Sequence, residues 1–457
     1  MIAMRFLHAV LAFMLACALN AGAASIPEAV KAAVRERVDA GQAASMAVGL
    51  VDAADADYFF YGHTVLPDGP APNEDTVYEI GSITKVFTGI LLGDMIVRGE
   101  VALDDAVAGY LPPGVKMPRD PAMPVTLRHL TTHTSGLARM PSNFASADPA
   151  NPYADYTVAR LHAYLNDAQL SYTTGSRYLY SNTGAALLGY VLERAAGKPY
   201  AELLRERVLE AMGLTDTAIT LTDGMRARLA HGHAGKEPAP NWDMAVFAGA
   251  GSLRSTAADM VKFLRLNLGM ADTPLKEALA LSHQAHTPAG VTEARVGLGW
   301  HLRAREGGGE IVWHNGGTGG YRTFAGFDAA RGCGAVVLAN SNDLSNDDLG
   351  FHLLDEIALI KQSVPRTKVA LTEAQLKRYA GNYRAEDGTV FDVRYHKERL
   401  EVKYMEQPRL PVVAASETKF FYEALDAEIE FQLDASGAVT GLELHQAGMR
   451  VPARKVE

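Results

Sequence analysis

Val30, Val34 and Val38 stand four residues apart after Ser25 and Pro27, with Gly41 beyond them, and this spacing predicts a first helix. The unbroken apolar run 46–51 predicts a buried strand, and 58–61 a second. Val86, Phe87, Ile90, Leu91, Leu92, Met95 and Ile96 then mark one face of a helix that starts near Ser82. Met260, Leu264 and Leu268 give 257–268 the pattern of an amphipathic helix. Strand character returns at 310–313, 321–327 and 334–339, followed by an apolar helix over 351–360. Strands at both ends therefore bracket a helical middle, 82–268. The economical packing is α+β: an antiparallel sheet built from both ends and flanked by helices, with a mostly helical subdomain beside it.

The pattern changes after 362–367, where Pro365 and polar residues interrupt it. Val393 and Tyr395 alternate with polar neighbours, as do Leu400, Val402 and Tyr404, and again Ile429, Phe431 and Leu433. Turn signals at Asp387-Gly388 and Ser436-Gly437 separate these runs, so a small all-β barrel or sandwich is expected. The expected division is 25–364 and 365–457, preceded by a segment of a different kind. Residues 1–24 read as a secretory signal peptide: Arg5, an apolar run over 6–19, and small residues at 21–24. Export to a periplasm or to the medium is the expectation. Cys17 lies inside the apolar run, with Met14 where a leucine is usual, which disfavours lipid anchoring there.

Composition adds exclusions. At 457 residues the chain is long enough for one large and one smaller domain, and 48% hydrophobic with 21% charged residues describes a globular protein. A formal net charge of -10 argues against nucleic acid or an anionic membrane surface as partner. Of the 2 cysteines, only Cys333 lies outside the expected signal, so no intrachain disulfide is predicted. Cys333 precedes the apolar run 335–339 and reads as a buried strand cysteine.

Three stretches carry candidate chemistry. Ser82-Ile83-Thr84-Lys85 places a hydroxyl and an amine one helical turn apart, near helix-terminal N–H groups that favour a developing oxyanion. A capping serine followed by a solvated lysine explains the same four residues. Tyr180-Ser181-Asn182 opens the apolar helix 185–191 and offers a phenol and a carboxamide two residues apart. A phenol near an ammonium can accept and return a proton, although a plain helix cap is the simpler reading. Trp313-His314-Asn315-Gly316-Gly317-Thr318-Gly319-Gly320 ends a strand with a histidine expected to face out, and its glycines let another backbone approach. His133, in 127–137, is expected to be a hydrogen-bonded structural residue near the cleft wall. The pairs His231/His233 and His283/His286 lack a convincing third ligand, so no metal site is predicted.

In this order, Ser82 to Lys85, Tyr180 to Asn182 and His314 to Gly316 resemble the three signature motifs of penicillin-binding-protein-like serine hydrolases related to class C β-lactamases and D-alanyl-D-alanine carboxypeptidases. Residues 130–137, 249–256 and 297–300 also resemble segments of that family. The resemblance implies Ser82 as the acylated nucleophile, with Lys85 keeping the site positive and helping to deprotonate it. Tyr180 would act as proton acceptor and then donor. It further implies substrate-binding roles for Asn182, His314, Gly316 and Gly317, with the Ser82 and Gly317 N–H groups as oxyanion hole. Neither cofactor nor metal is implied, and the partner is a small-molecule or peptide substrate with no integral membrane domain. Class C enzymes usually carry lysine where this chain has His314, which leaves three substrate classes open: a β-lactam, a D-amino-acid peptide, or an ester. A slow-turnover penicillin-binding sensor is a fourth reading. The C-terminal strands resemble the lipocalin-like barrel appended to some D-amino-acid peptidase members, through Tyr379-Ala380-Gly381-Asn382-Tyr383.

Overall fold

A computed structural model describes residues 24–120, 123–292, 294–305, 308–342, 345–360, 368–386, 388–404, 409–422, 427–446 and 449–456. Residues 1–23 of the expected signal segment, the boundary at 362–367 and Asp387 of the expected turn lie outside the described residues.

Seven antiparallel strands form the main sheet. From one edge to the other they are Ala56–Gly62, Ser45–Val51, Cys333–Ala339, Arg322–Asp328, Glu310–Gly317, His301–Ala304 and Arg295–Val296. The N-terminal hairpin thus joins the C-terminal strands through the Met46↔Ala339 register, as the sequence pattern predicts. Side chains of Ser45–Val51 are buried on both faces, which explains the unbroken apolar run. Met46, Val48 and Leu50 pack with Val30, Val34, Phe351 and Leu353, contributed by the helices Glu28–Asp39 and Asp347–Leu354. Ala47 and Val51 face the opposite layer, with Val261, Leu264 and Phe263 of the helix Ala257–Asn267. A buried Arg37–Asp348 ion pair, 2.5 Å, ties the two helices of the first layer together.

Two predicted elements shift. The last helix of this domain ends at Leu354 rather than 360, and Ile357 and Leu359 behind it are exposed. Cys333 opens its strand and is only partly buried, whereas residues 334–339 are buried. Among the described residues no helix is long and apolar enough to cross a membrane.

The C-terminal region is a closed barrel of eight antiparallel strands, from Gly381–Arg384 to Met449–Val456. Each strand pairs with the next in sequence, and the last returns to the first through Tyr383↔Lys455. Alternating residues point inward, where Tyr379, Tyr383, Phe391, Phe420 and Phe431 form an aromatic core.

Candidate active site

Ser82 lies in a single 3-10 turn, Gly81–Ile83, that runs directly into the helix Thr84–Val97. Two glycines let this turn touch the end of the Glu310–Gly317 strand. Gly81 has φ 51, and a Cβ there would stand 2.7 Å from the Gly317 nitrogen. A Cβ on Gly316 would fall 2.0 Å from the Ile80 carbonyl oxygen, so the two backbones adjoin without side chains between them. Thr323 donates to the Ile80 carbonyl at 3.0 Å, and Thr84 donates to the Gly81 carbonyl at 2.7 Å. The Leu253 N–H donates to Thr84 Oγ1 at 3.0 Å. Segment 249–256 is thereby the floor beneath the serine turn.

One helical turn on, Lys85 is 3% exposed, and its Nζ donates to Ser82 Oγ at 3.0 Å and to the Ala250 carbonyl at 2.7 Å. Burial, reinforced by the Arg139 charge, holds its ammonium well below the ordinary lysine range. Tyr180 approaches from the other side. Its ring centroid is 4.9 Å from Lys85 Nζ, and its phenol lies within reach of the Ser82 hydroxyl. Burial pushes the phenol up to about 12, outweighing the Ser82 hydrogen bond and the Arg139 charge. Burial here opposes the phenolate that a nearby ammonium would favour. Burial thus disfavours both the phenolate and the ammonium.

The helix Asn182–Ala196 is capped by Ser181, whose hydroxyl accepts from the Gly184 N–H and donates to the Ala138 carbonyl. The Asn182 and Thr183 N–H groups both donate to the Arg139 carbonyl, at 3.0 and 3.1 Å. Asn182 Nδ2 faces Met140 Sδ at 3.8 Å, with its carboxamide beside the cleft. This cap joins residues 138–140 to the second motif.

His314 departs from expectation. It is fully buried rather than facing outward, because the rings of His301 and Tyr180 cover it, the latter 6.2 Å away. Its Nδ1–H donates to the Asn315 carbonyl at 2.5 Å, and Nε2 has no hydrogen-bond partner among the described residues. Burial first, then the neighbouring His301 and Lys85 charges, hold it well below the usual imidazole value, so it is neutral at neutral pH.

Two neighbours belong with it. His301, on the adjacent strand, has its ring 4.9 Å from His314 and its Nε2 2.9 Å from the Tyr178 hydroxyl. Burial lowers it to about 4. His133 has φ 59, accepts the Ser181 N–H at Nδ1, and lies 4.4 Å from the Tyr180 ring. Its structural reading from sequence holds, with the addition that it packs on a site residue. Sequence reasoning missed His301 and Arg139. His301 directly follows 297–300, the one signal that pointed near it, and no side-chain pattern can reveal the Ala250 carbonyl. The paired histidines noted from spacing bond elsewhere, His283 to Asn267 and His286 to the Leu281 carbonyl.

A hydroxyl touched by both an amine and a phenol, beside a glycine-lined strand end, defines a serine acyl-transfer site. The family described as Beta-lactamase matches residues 30–359, and the chain belongs to it: it is a β-lactamase/D-alanyl-D-alanine carboxypeptidase-type serine hydrolase. Residues 365–455 match a domain of unknown function, DUF3471. The D-alanyl-D-alanine-carboxypeptidase/endopeptidase AmpH of Escherichia coli K12 is 30% identical over 66% of this chain and 81% of its own. A β-lactamase/D-alanine carboxypeptidase from Yersinia pestis, solved with citrate, is 26% identical with a TM-score of 0.63, covering 72% of this chain and 95% of that one. An octameric penicillin-binding protein homologue from Pyrococcus abyssi shares the fold over 93% of this chain and 99% of its own, at 20% identity and a TM-score of 0.63.

Proposed function

We propose that this enzyme cleaves an amide, either a β-lactam ring or a D-amino-acid-containing peptide, through an acyl-enzyme on Ser82. The observation that carries this reading is the shared contact of Ser82 Oγ with Lys85 and Tyr180. Lys85 as a neutral amine accepts the Ser82 proton while an N–H continues to donate to the Ala250 carbonyl. Ser82 Oγ then adds to the substrate carbonyl, and the Ser82 and Gly317 N–H groups receive the oxyanion. On collapse the Tyr180 phenol gives its proton to the leaving nitrogen and is reprotonated from the Lys85 ammonium. Water attacks the ester by the same route, releasing acid and Ser82. Asn182 holds an amide on the acyl side. Export through residues 1–24 is part of this proposal, supported by their charge and apolar pattern.

The neutral His314 supports an ester-cleaving reading as well, because an ester needs no carboxylate clamp and little protonation of its leaving group. Turnover of a reporter cephalosporin, a D-alanyl-D-alanine peptide and a short acyl ester separates these substrates. Ser82→Ala is expected to abolish turnover of all three and labelling by a fluorescent penicillin. Labelling retained at another residue contradicts the assignment, and wild-type labelling without product release supports a slow sensor instead.

A further inference from the structure

We propose that Arg139 is a specificity-determining residue that binds a carboxylate carried on the acyl side of the substrate, the side on which Asn182 lies. This rests on the acyl-enzyme reading above.

The cleft offers few positive charges. His314 is buried and neutral, with Nδ1–H turned to its neighbour's carbonyl. Lys85 is engaged by Ser82 and the Ala250 carbonyl. Arg139 differs from both. A guanidinium stays charged across the working pH range, and this one is partly exposed, 5.0 Å from the Tyr180 ring centroid. Among the described residues no carboxylate pairs with it. Its charge nevertheless reaches the centre of the site, lowering the proton affinity of Lys85, His133, Tyr153, Tyr178 and Tyr180.

Its backbone is fixed where such a charge is useful. The Arg139 carbonyl accepts the first N–H groups of the Asn182 helix, which seats the residue at the start of the second motif, and its guanidinium reaches over the Tyr180 ring. Tyr153, packed on Trp242 at 5.2 Å, and Met140 form an apolar lip next to it. Reciprocal hydrogen bonds between Asn151 and Asp243 hold that lip closed across two loops. A carboxylate entering this surrounding meets a planar fork suited to two parallel hydrogen bonds, in a medium less polar than water.

Binding there also acts on the reaction. The Arg139 charge adds to burial in disfavouring the Lys85 ammonium. A bound carboxylate cancels that field, so Lys85 becomes a better proton acceptor once the correct substrate is in place.

The test uses two D-alanyl thioesters capped at nitrogen with glutarate or with its carboxamide, alike in size and differing in charge. The wild type is expected to favour the glutaryl substrate by roughly ten- to hundredfold in kcat/KM, the worth of a charge-assisted hydrogen bond. Arg139→Gln is expected to bring that ratio close to one, and Arg139→Lys to keep part of it. The ratio compares two substrates on one preparation, so it does not depend on the folded fraction. In Arg139→Gln the acid limb of kcat/KM should also move to higher pH, since Lys85 loses a repelling neighbour, a shift that a merely structural role would not produce. A wild-type ratio near one, or a ratio unchanged in Arg139→Gln, overturns the inference while the Ser82 reading stands. No turnover of either thioester together with no penicillin label on Ser82 overturns both.

Discussion

Lys85 Nζ stands 3.0 Å from Ser82 Oγ, and it also donates to the Ala250 main-chain carbonyl, with no carboxylate paired to it among the described residues. An ammonium so placed loses its hydration and gains no counter-charge, which favours the amine. The same burial keeps the Tyr180 phenol protonated. In the proposed mechanism the environment therefore favours the lysine as base and the tyrosine as acid.

Removing the acceptor should cost more than removing the donor. Lys85→Met is expected to lower the rate of Ser82 acylation by about 10^2- to 10^4-fold, the usual contribution of general-base catalysis. Tyr180→Phe should slow amide cleavage markedly but an activated thioester much less, because a thiolate leaves without a proton. Stopped-flow acylation with both substrate types measures this, and equal losses on the two would contradict the assignment of Tyr180 as acid.

The pH–rate profile follows from the same two shifts. Activity needs Lys85 neutral and Tyr180 protonated. It should rise through the depressed lysine value, well below the usual 10.5, and fall only toward about 12. An acid limb found near the ordinary lysine value in kcat/KM would show that the ammonium is not destabilised.

Stability should fall on the acid side for a separate reason. His301 is lowered from 6.5 to about 4, so between these values the unfolded chain binds a proton that the folded one does not. Its contribution is fully present above 6.5 and is lost as pH falls toward 4. His133 and His314 are shifted in the same direction. Each such group adds up to about 1.4 kcal/mol per pH unit to the slope in its window. Urea unfolding between pH 4 and 7 should show this slope, and His301→Asn should make it shallower.

Glu79 and Arg254 pair at 3.0 Å, both nearly inaccessible, just before the serine turn. Glu79 Oε1 also accepts the Trp242 N–H at 3.0 Å, and Arg254 donates to the Trp242 carbonyl at 2.7 Å. Glu79→Ala leaves a buried cation uncompensated and is expected to destabilise by about 3–5 kcal/mol in denaturant unfolding. Because the pair also seats Trp242, kcat/KM should drop even well below the melting temperature.

The sequence by itself determined the elements and the chemistry-bearing motifs. The valine spacing of the first helix, the unbroken run at 46–51 and the alternation after 390 each reflect a burial period that a single chain displays. Ser82, Lys85, Tyr180 and Asn182 were legible as candidates because each motif is a short run of neighbouring residues and their order along the chain matches a family. Tertiary structure decided their protonation and company. Whether Lys85 is charged depends on its burial and on Arg139, far away in sequence, and His314 is buried because the His301 and Tyr180 rings close over it. Burial and electrostatic fields are sums over neighbours brought together by folding, and no pattern along the chain records them.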